Sequence, residues 1–163
     1  MAMEDSGMDP EKVDRTRIGV MVGSGIGGLR TLVEQHTVLL EKGPSRVSPF
    51  VIPMMISNIA AGMISMEYGF GGPNMAIVSA CATANNSVGE AWRIIKFGDA
   101  EGILAGGSEA SIQEMGLAGF SNMRALSTRN DEPQRASRPF DVDRDGFVMS
   151  EGSGVVMLEE LEH

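Results

Sequence analysis

The sequence predicts a layered α/β fold, and three observations carry that expectation. Short apolar runs of strand length at residues 18–22, 101–107 and 154–158 alternate with longer segments of helical spacing. Glycine, 21 of the 163 residues, punctuates the junctions between them, as tight turns require. A hydrophobic content of 42% is ordinary for a globular chain, and this length allows one domain with a real core. Strands that alternate with covering helices build a sheet with helices laid on its faces, so residues 1–163 are read as a single domain.

Each element follows from local signals. Residues 1–7 read as the last turns of a helix, ended by Gly7 and Pro10 and lacking a start. The strand at 18–22 runs into Gly23-Ser24-Gly25-Ile26-Gly27-Gly28. A helix from about 29 to 42 follows, stopped by Gly43-Pro44. Residues 48–53, with prolines at 49 and 53, are expected to be an extended connector. Residues 57–67 read as a mostly buried helix closed by Gly69 and Gly71-Gly72-Pro73. A strand at 74–78, a junction of small residues and a helix from about 82 to 97 come next. After the strand at 101–107, a short helix covers about 111 to 120, a polar linker spans 127–145, and the strand at 154–158 closes the series. Residues 158–163 stop as a strand gives way to a new segment. The sequence therefore reads as an excerpt whose apolar faces are covered by chain outside it.

Charge narrows the function classes. A net charge of −9 and a pI near 4.7 argue against nucleic-acid binding by the bulk surface. No apolar run approaches the roughly 20 residues of a membrane span, and the first residues lack the basic-then-apolar layout of a secretion signal. One cysteine excludes an intramolecular disulfide and suits a reducing compartment.

Three motifs invite a reading and lose it. Gly23-x-Gly25-x-x-Gly28 follows a strand and opens a helix, as a dinucleotide fingerprint would. The acidic residue wanted about 20 positions on has only Glu41, at a helix C-terminus, to fill it. Close packing around a turn is the preferred explanation. Asp141-x-Asp143-x-Asp145-Gly146 imitates the start of a calcium loop, but its twelfth position is Gly152, with Glu151 one place early. Asn85-Asn86-Ser87 is a formal glycosylation sequon inside a predicted helix. No metal site is expected.

The cysteine, Cys81, has the placement of a nucleophile. It lies at the first turn of the helix that follows the 74–78 strand, where unpaired N–H groups and the positive end of the macrodipole favour a thiolate. Ser79, Ala80 and Ala82 leave room for a substrate. A buried structural cysteine fits the same placement, and position alone leaves both readings open. A cysteine nucleophile works with a histidine, and the chain has only His36, within a helix, and the terminal His163.

Ser79-Ala80-Cys81-Ala82-Thr83-Ala84 with Gly89-Glu90-Ala91 resembles the nucleophile segment of β-ketoacyl-acyl-carrier-protein synthases, the condensing enzymes of type II fatty-acid synthesis. The resemblance runs along essentially the whole chain. It includes the Gly23–Leu29 turn, residues 105–110, and Arg124-Ala125-Leu126-Ser127-Thr128-Arg129-Asn130-Asp131. Ala136-Ser137-Arg138-Pro139-Phe140-Asp141 and Arg144-Asp145-Gly146-Phe147-Val148-Met149-Ser150-Glu151-Gly152 are its most specific parts, and together the segments resemble the elongating type I/II group.

The resemblance implies a thiolase-like α/β/α fold, of which these residues are most of the first half. It implies that Cys81 takes an acyl group from acyl carrier protein. Malonyl carrier protein is then decarboxylated, and its carbanion attacks the thioester to give a β-ketoacyl product. Ile26 and Phe120 match acyl-pocket positions, and Arg46 and Arg124 match basic positions near the carrier-protein docking surface. Residues 74–78 match the region of the family's homodimer interface. No cofactor is implied, and the location is bacterial cytoplasm or plastid stroma. The two histidines, the lysine and the second oxyanion donor of the family belong to its other half. These residues alone are thus expected to be inactive. Ala84-Asn85-Asn86 departs from the commonest residues after the cysteine, which leaves substrate preference open. The competing readings are a non-catalytic chain-length partner subunit and a thiolase-like acyltransferase that uses coenzyme A thioesters.

Overall fold

A computed structural model describes all residues, 1–163. Two compact units divide them: residues 1–109 with 152–163, and residues 110–151. The first unit is built on a three-stranded sheet of β1 (Ile18–Gly23), β2 (Gly102–Glu109) and β3 (Gly152–Glu159). Strand β2 is central, parallel to β1 from Ile18–Gly102 to Gly23–Gly107 and antiparallel to β3 from Gly102–Glu159 to Glu109–Gly152. The parallel pairing needs a long crossover, and residues 24–101 supply it.

Strand alternation divides the core between the two faces. Ile18, Val20, Val22 and Leu104 point to one face and pack with Met3 of α1 (Ala2–Ser6), with Phe70, and with Ala61 of α4 (Ile59–Tyr68). Met21, Ile103 and Ala105 point to the other and pack with Ala91, Ile94 and Ile95 of α5 (Thr83–Lys96). The result is the expected α/β/α layering. Strand β1 is buried along its whole length, because helices cover both of its faces.

Several expectations of element type and extent are corrected. Residues 48–53 are not an extended connector. A 3-10 turn, Pro44–Arg46, leads to the short helix α3 (Val51–Met55), nucleated where Ser48 Oγ accepts the Phe50 N–H at 3.2 Å and Ser48 O accepts the Val51 N–H at 3.1 Å. Pro53 sits in the first turn, where a missing N–H costs nothing. Residues 74–78 do not form a strand. Asn74 makes a single parallel bridge to Val20, and beyond the Met75 N–H, which donates to Val20 O at 3.2 Å, the ladder with β1 ends. Their apolar composition expresses a preference for extended backbone, but only one rung finds a partner within the chain.

Helix α4 is less buried than its composition suggests. Ala61 is fully covered, while Met63 and Met66 stand 57% and 69% exposed on the face turned from the sheet. Helix α2 (Leu29–Lys42) and the closing Gly7, in the left-handed region at φ 71°, agree with expectation.

The second unit carries α6 (Glu114–Asn122), which begins three residues later than expected because Gln113 caps it by accepting the Met115 N–H. Phe120 on α6 meets Phe147 edge-on, ring centroids 5.3 Å apart. Asp145 then ties the loop by accepting from Ser127 Oγ at 2.7 Å and from the Thr128 N–H at 2.9 Å.

Candidate active site

Cys81 stands in a single 3-10 turn, Ala80–Ala82, that feeds directly into α5. Four features make this turn. Ala80 takes a left-handed conformation, φ 53°, which a non-glycine residue holds only when its surroundings demand it. The Ser79 N–H donates to Thr83 Oγ1 at 3.0 Å, and the Ala82 N–H donates to Ser79 O at 3.1 Å. Asn86, one turn into α5, donates through Nδ2 to Ser79 Oγ. Thr83 and Ser87 face inward with Ala91 and Ile94, which turns the opposite side of the helix start outward.

The thiol is exposed in these residues. No side chain caps α5, and the Cys81 N–H donates to no backbone carbonyl. A free N–H beside an exposed sulfur, at the positive end of a 14-residue helix, is the arrangement that stabilises an anion forming next to that sulfur.

Close backbone approach seats the elbow over the C-terminal ends of β1 and β2. A Cβ at Gly23 would lie 2.6 Å from Ile77 O and 2.8 Å from Thr83 Cγ2, and one at Gly107 would lie 3.1 Å from Ala84 Cβ. A Cβ at Gly25 would lie 3.1 Å from Ala80 O. The glycines of the Gly23–Gly28 run are therefore packing glycines. Its N–H groups have an occupant already, because Glu109 Oε2 accepts from Gly25 at 3.0 Å and from Ile26 at 3.1 Å.

The sequence reading passed over Glu109 as a site residue. Its signal in the sequence is membership of the 105–110 segment; that it ends the strand parallel to the one feeding the glycine turn comes from the fold. The aspartates of 141–146 are also engaged. Asp141 Oδ1 accepts the Asp143 N–H at 2.8 Å, and Asp145 is held by Ser127, Thr128 and, at 3.5 Å, Arg129. That is an interlocked loop: the Asp141 and Asp145 carboxylates face internal donors, and Asp143 offers its backbone O to Arg129.

Of the residues singled out in the sequence, Cys81 and Ile26 come together, since the Ile26 turn packs on the Ala80 backbone; the Ile26 side chain is 43% exposed. Arg46 is exposed on the Pro44–Arg46 turn of the same unit. Phe120, half-buried against Phe147, and Arg124, exposed at φ 54° just after α6, belong to the second unit. His36 is exposed on α2. His163 lies 3.7 Å from Glu101 and 3.6 Å from Glu159, at the start of β2. At about 3.3 Å per residue, that is roughly 25 Å from the end of β2 where the elbow sits. No helix is long and apolar enough to cross a membrane.

A mixed sheet between helical layers, with a cysteine elbow above its strand ends, defines a thiolase-like fold. The chain belongs to the β-ketoacyl synthase family: the model for "Beta-ketoacyl synthase, N-terminal domain" matches residues 1–163. It is 52% identical over 161 residues to the 3-oxoacyl-[acyl-carrier-protein] synthase 2 of Synechocystis, covering 99% of this chain and 39% of that protein. It is 54% identical over 154 residues to the mitochondrial 3-oxoacyl-[acyl-carrier-protein] synthase of Arabidopsis thaliana, covering 94% of this chain and 33% of that protein. Among solved structures, it superposes with a TM-score of 0.92 and 31% identity on AntDE:AntF, a type II PKS acyl-carrier protein in complex with its ketosynthase. That match covers 99% of this chain and 41% of the other. The chain thus spans one third to two fifths of the length of these relatives.

Proposed function

We propose that these residues are the nucleophile-bearing part of a β-ketoacyl-acyl-carrier-protein synthase of type II fatty-acid synthesis. The observation that carries the reading is the exposed Cys81 at the uncapped head of α5, on an elbow bent by the left-handed Ala80. The Sγ thiolate attacks the carbonyl carbon of an acyl group carried as a thioester on acyl carrier protein. The oxyanion formed there is stabilised by the Cys81 N–H. Collapse expels the carrier thiolate and leaves the acyl group on Sγ.

Malonyl carrier protein then loses carbon dioxide, and its carbanion attacks the acyl-Cys81 carbonyl. Collapse of the second tetrahedral species returns the Cys81 thiolate and releases the β-ketoacyl carrier product. Groups outside these residues assist the decarboxylation. In the first unit Ile26 is an acyl-pocket residue and exposed Arg46 a carrier-docking residue, and in the second unit Phe120 and exposed Arg124 take the same two roles. The working form is a homodimer, in bacterial cytoplasm or an organelle stroma such as the plastid. The family membership and the relatives named for acyl-carrier-protein substrates support this reading.

The test is acyl transfer in the full chain, read by intact mass. Incubation with an acyl-carrier thioester is expected to add one acyl mass, mapped to Cys81, and Cys81→Ala is expected to abolish it. Labelling of Cys81 by iodoacetamide with no uptake from any acyl-carrier thioester would sink the proposal and favour a non-catalytic partner subunit. Faster uptake from coenzyme A thioesters would favour the thiolase-like alternative.

A further inference from the structure

We infer that Glu109 is a positioning residue of this site, holding the Ile26 turn at the place from which Ile26 measures the acyl chain. The inference rests on the reading of Cys81 and Ile26 as nucleophile and pocket residue. Glu109 ends β2 and is half-buried. Its Oε1 accepts from Ser24 Oγ at 2.9 Å, and its Oε2 accepts from the N–H groups of Gly25 and Ile26 at 3.0 and 3.1 Å. Ser24 Oγ in turn accepts the Gly27 N–H at 2.8 Å. Residues 24–27 therefore hang from one carboxylate.

Converging N–H groups of a glycine-rich turn form the cradle that elsewhere takes a phosphate. Here the anion is built into the chain, which accounts for the glycine fingerprint without a nucleotide. Gly25, one of the carboxylate's donors, also packs on the nucleophile's own support. A Cβ at Gly25 would meet Glu109 Oε2 at 3.0 Å and Ala80 O at 3.1 Å, so carboxylate, turn and elbow pack as one body.

The Ile26 N–H has Glu109 as its acceptor, so the carboxylate holds the peptide from which the Ile26 side chain projects. Charge-assisted hydrogen bonds to backbone are the strong, directional kind. Removing the carboxylate frees the Ile26 peptide without touching the sulfur. Discrimination between chain lengths rests on the placed wall of an apolar pocket, and a displacement of about 1 Å can cost far more than its size suggests.

The experiment measures second-order rate constants for acylation of Cys81 in the full chain, from a short-chain and a long-chain acyl-carrier thioester. The wild type is expected to discriminate between them. Glu109→Ala is expected to shrink the ratio about tenfold. Glu109→Gln, whose amide oxygen still accepts from both N–H groups, is expected to restore most of it. In an Ile26→Ala background, Glu109→Ala is expected to change the ratio no further.

A lower Tm with an unchanged ratio in Glu109→Ala would overturn the inference and leave Glu109 a stabilising residue only. If Glu109→Ala does not fold, Ser24→Ala carries the test, because Ser24 Oγ both donates to Glu109 and accepts the Gly27 N–H. It then shrinks the ratio, or the inference fails. A wild type that takes up neither acyl group sinks the reading of Cys81 and this inference with it. A selective wild type whose variants keep its ratio sinks the inference alone.

Discussion

Gly23→Ala is the sharpest perturbation of the elbow, because the structure sets its size. The new methyl would lie 2.6 Å from Ile77 O and 2.8 Å from Thr83 Cγ2, two atoms that bracket Cys81 in sequence. Ordinary contact begins at about 3.5 Å, so the segment from 77 to 83 must retreat by roughly 0.7–0.9 Å. Neither neighbour is a flexible tip: one is backbone and the other is the methyl of a 95% buried threonine engaged with Ser79. Overpacking of this kind costs about 1–3 kcal/mol, offset by at most about 1 kcal/mol from the stiffer unfolded chain. At about 2–4 °C per kcal/mol for a chain of this size, Tm is expected to fall by several degrees.

Gly89→Ala is the matched control. It lies within α5, on an exposed position with nothing within 4 Å of the new methyl. Helix propensity favours alanine there by about 1 kcal/mol, so Tm is expected to rise. The assay is thermal unfolding by circular dichroism, paired with the rate of Cys81 alkylation by iodoacetamide. Gly23→Ala is expected to change that rate and Gly89→Ala to leave it. A Gly23→Ala chain with wild-type Tm and wild-type alkylation would refute the claim that close backbone approach seats the elbow.

Two further perturbations address other parts of the chain. Ala80→Val places a β-branched residue at φ 53°, where its steric cost is greatest. It is expected to lower stability by about 1–2 kcal/mol and slow Cys81 alkylation, whereas Ala80→Gly is expected to match or exceed the wild type in Tm. Equal Tm for Val and Gly would mean that the left-handed Ala80 is not what bends the turn.

Asp145 is held well below the usual carboxylate range, at about 2, first by the Ser127 hydroxyl and then by the Thr128 N–H. Because its folded value is depressed, its contribution is complete above the ordinary value near 3.8 and is lost as pH falls through about 2. The Tm gap between wild type and Asp145→Asn is thus expected to be constant above pH 5 and to close between about pH 4 and 2. A gap that persists at pH 2 would refute the role of this carboxylate in tying the loop.

The sequence by itself determined the element series and the layering, because strand and helix periodicities are local properties of side-chain order. β1, β2, β3, α2 and α5 are legible to within two residues for that reason. It also placed Cys81 at a helix head, since a run of small residues between an apolar stretch and a helical pattern leaves few other conformations.

What it could not determine depends on partners distant in the chain. Residues 74–78 have strand composition but find one rung only, and hydrogen-bond partners are not written into the segment that needs them. Residues 48–53 turn into the start of a helix because Ser48 supplies local acceptors that outweigh the prolines. Exposure of the thiol, the left-handed Ala80 and the capture of the glycine turn by Glu109, 83 to 85 residues away, exist only once β1 and β2 lie side by side. A parallel pairing joins residues that sequence separates, and it is this pairing that turned a glycine motif of ambiguous meaning into the support of a cysteine.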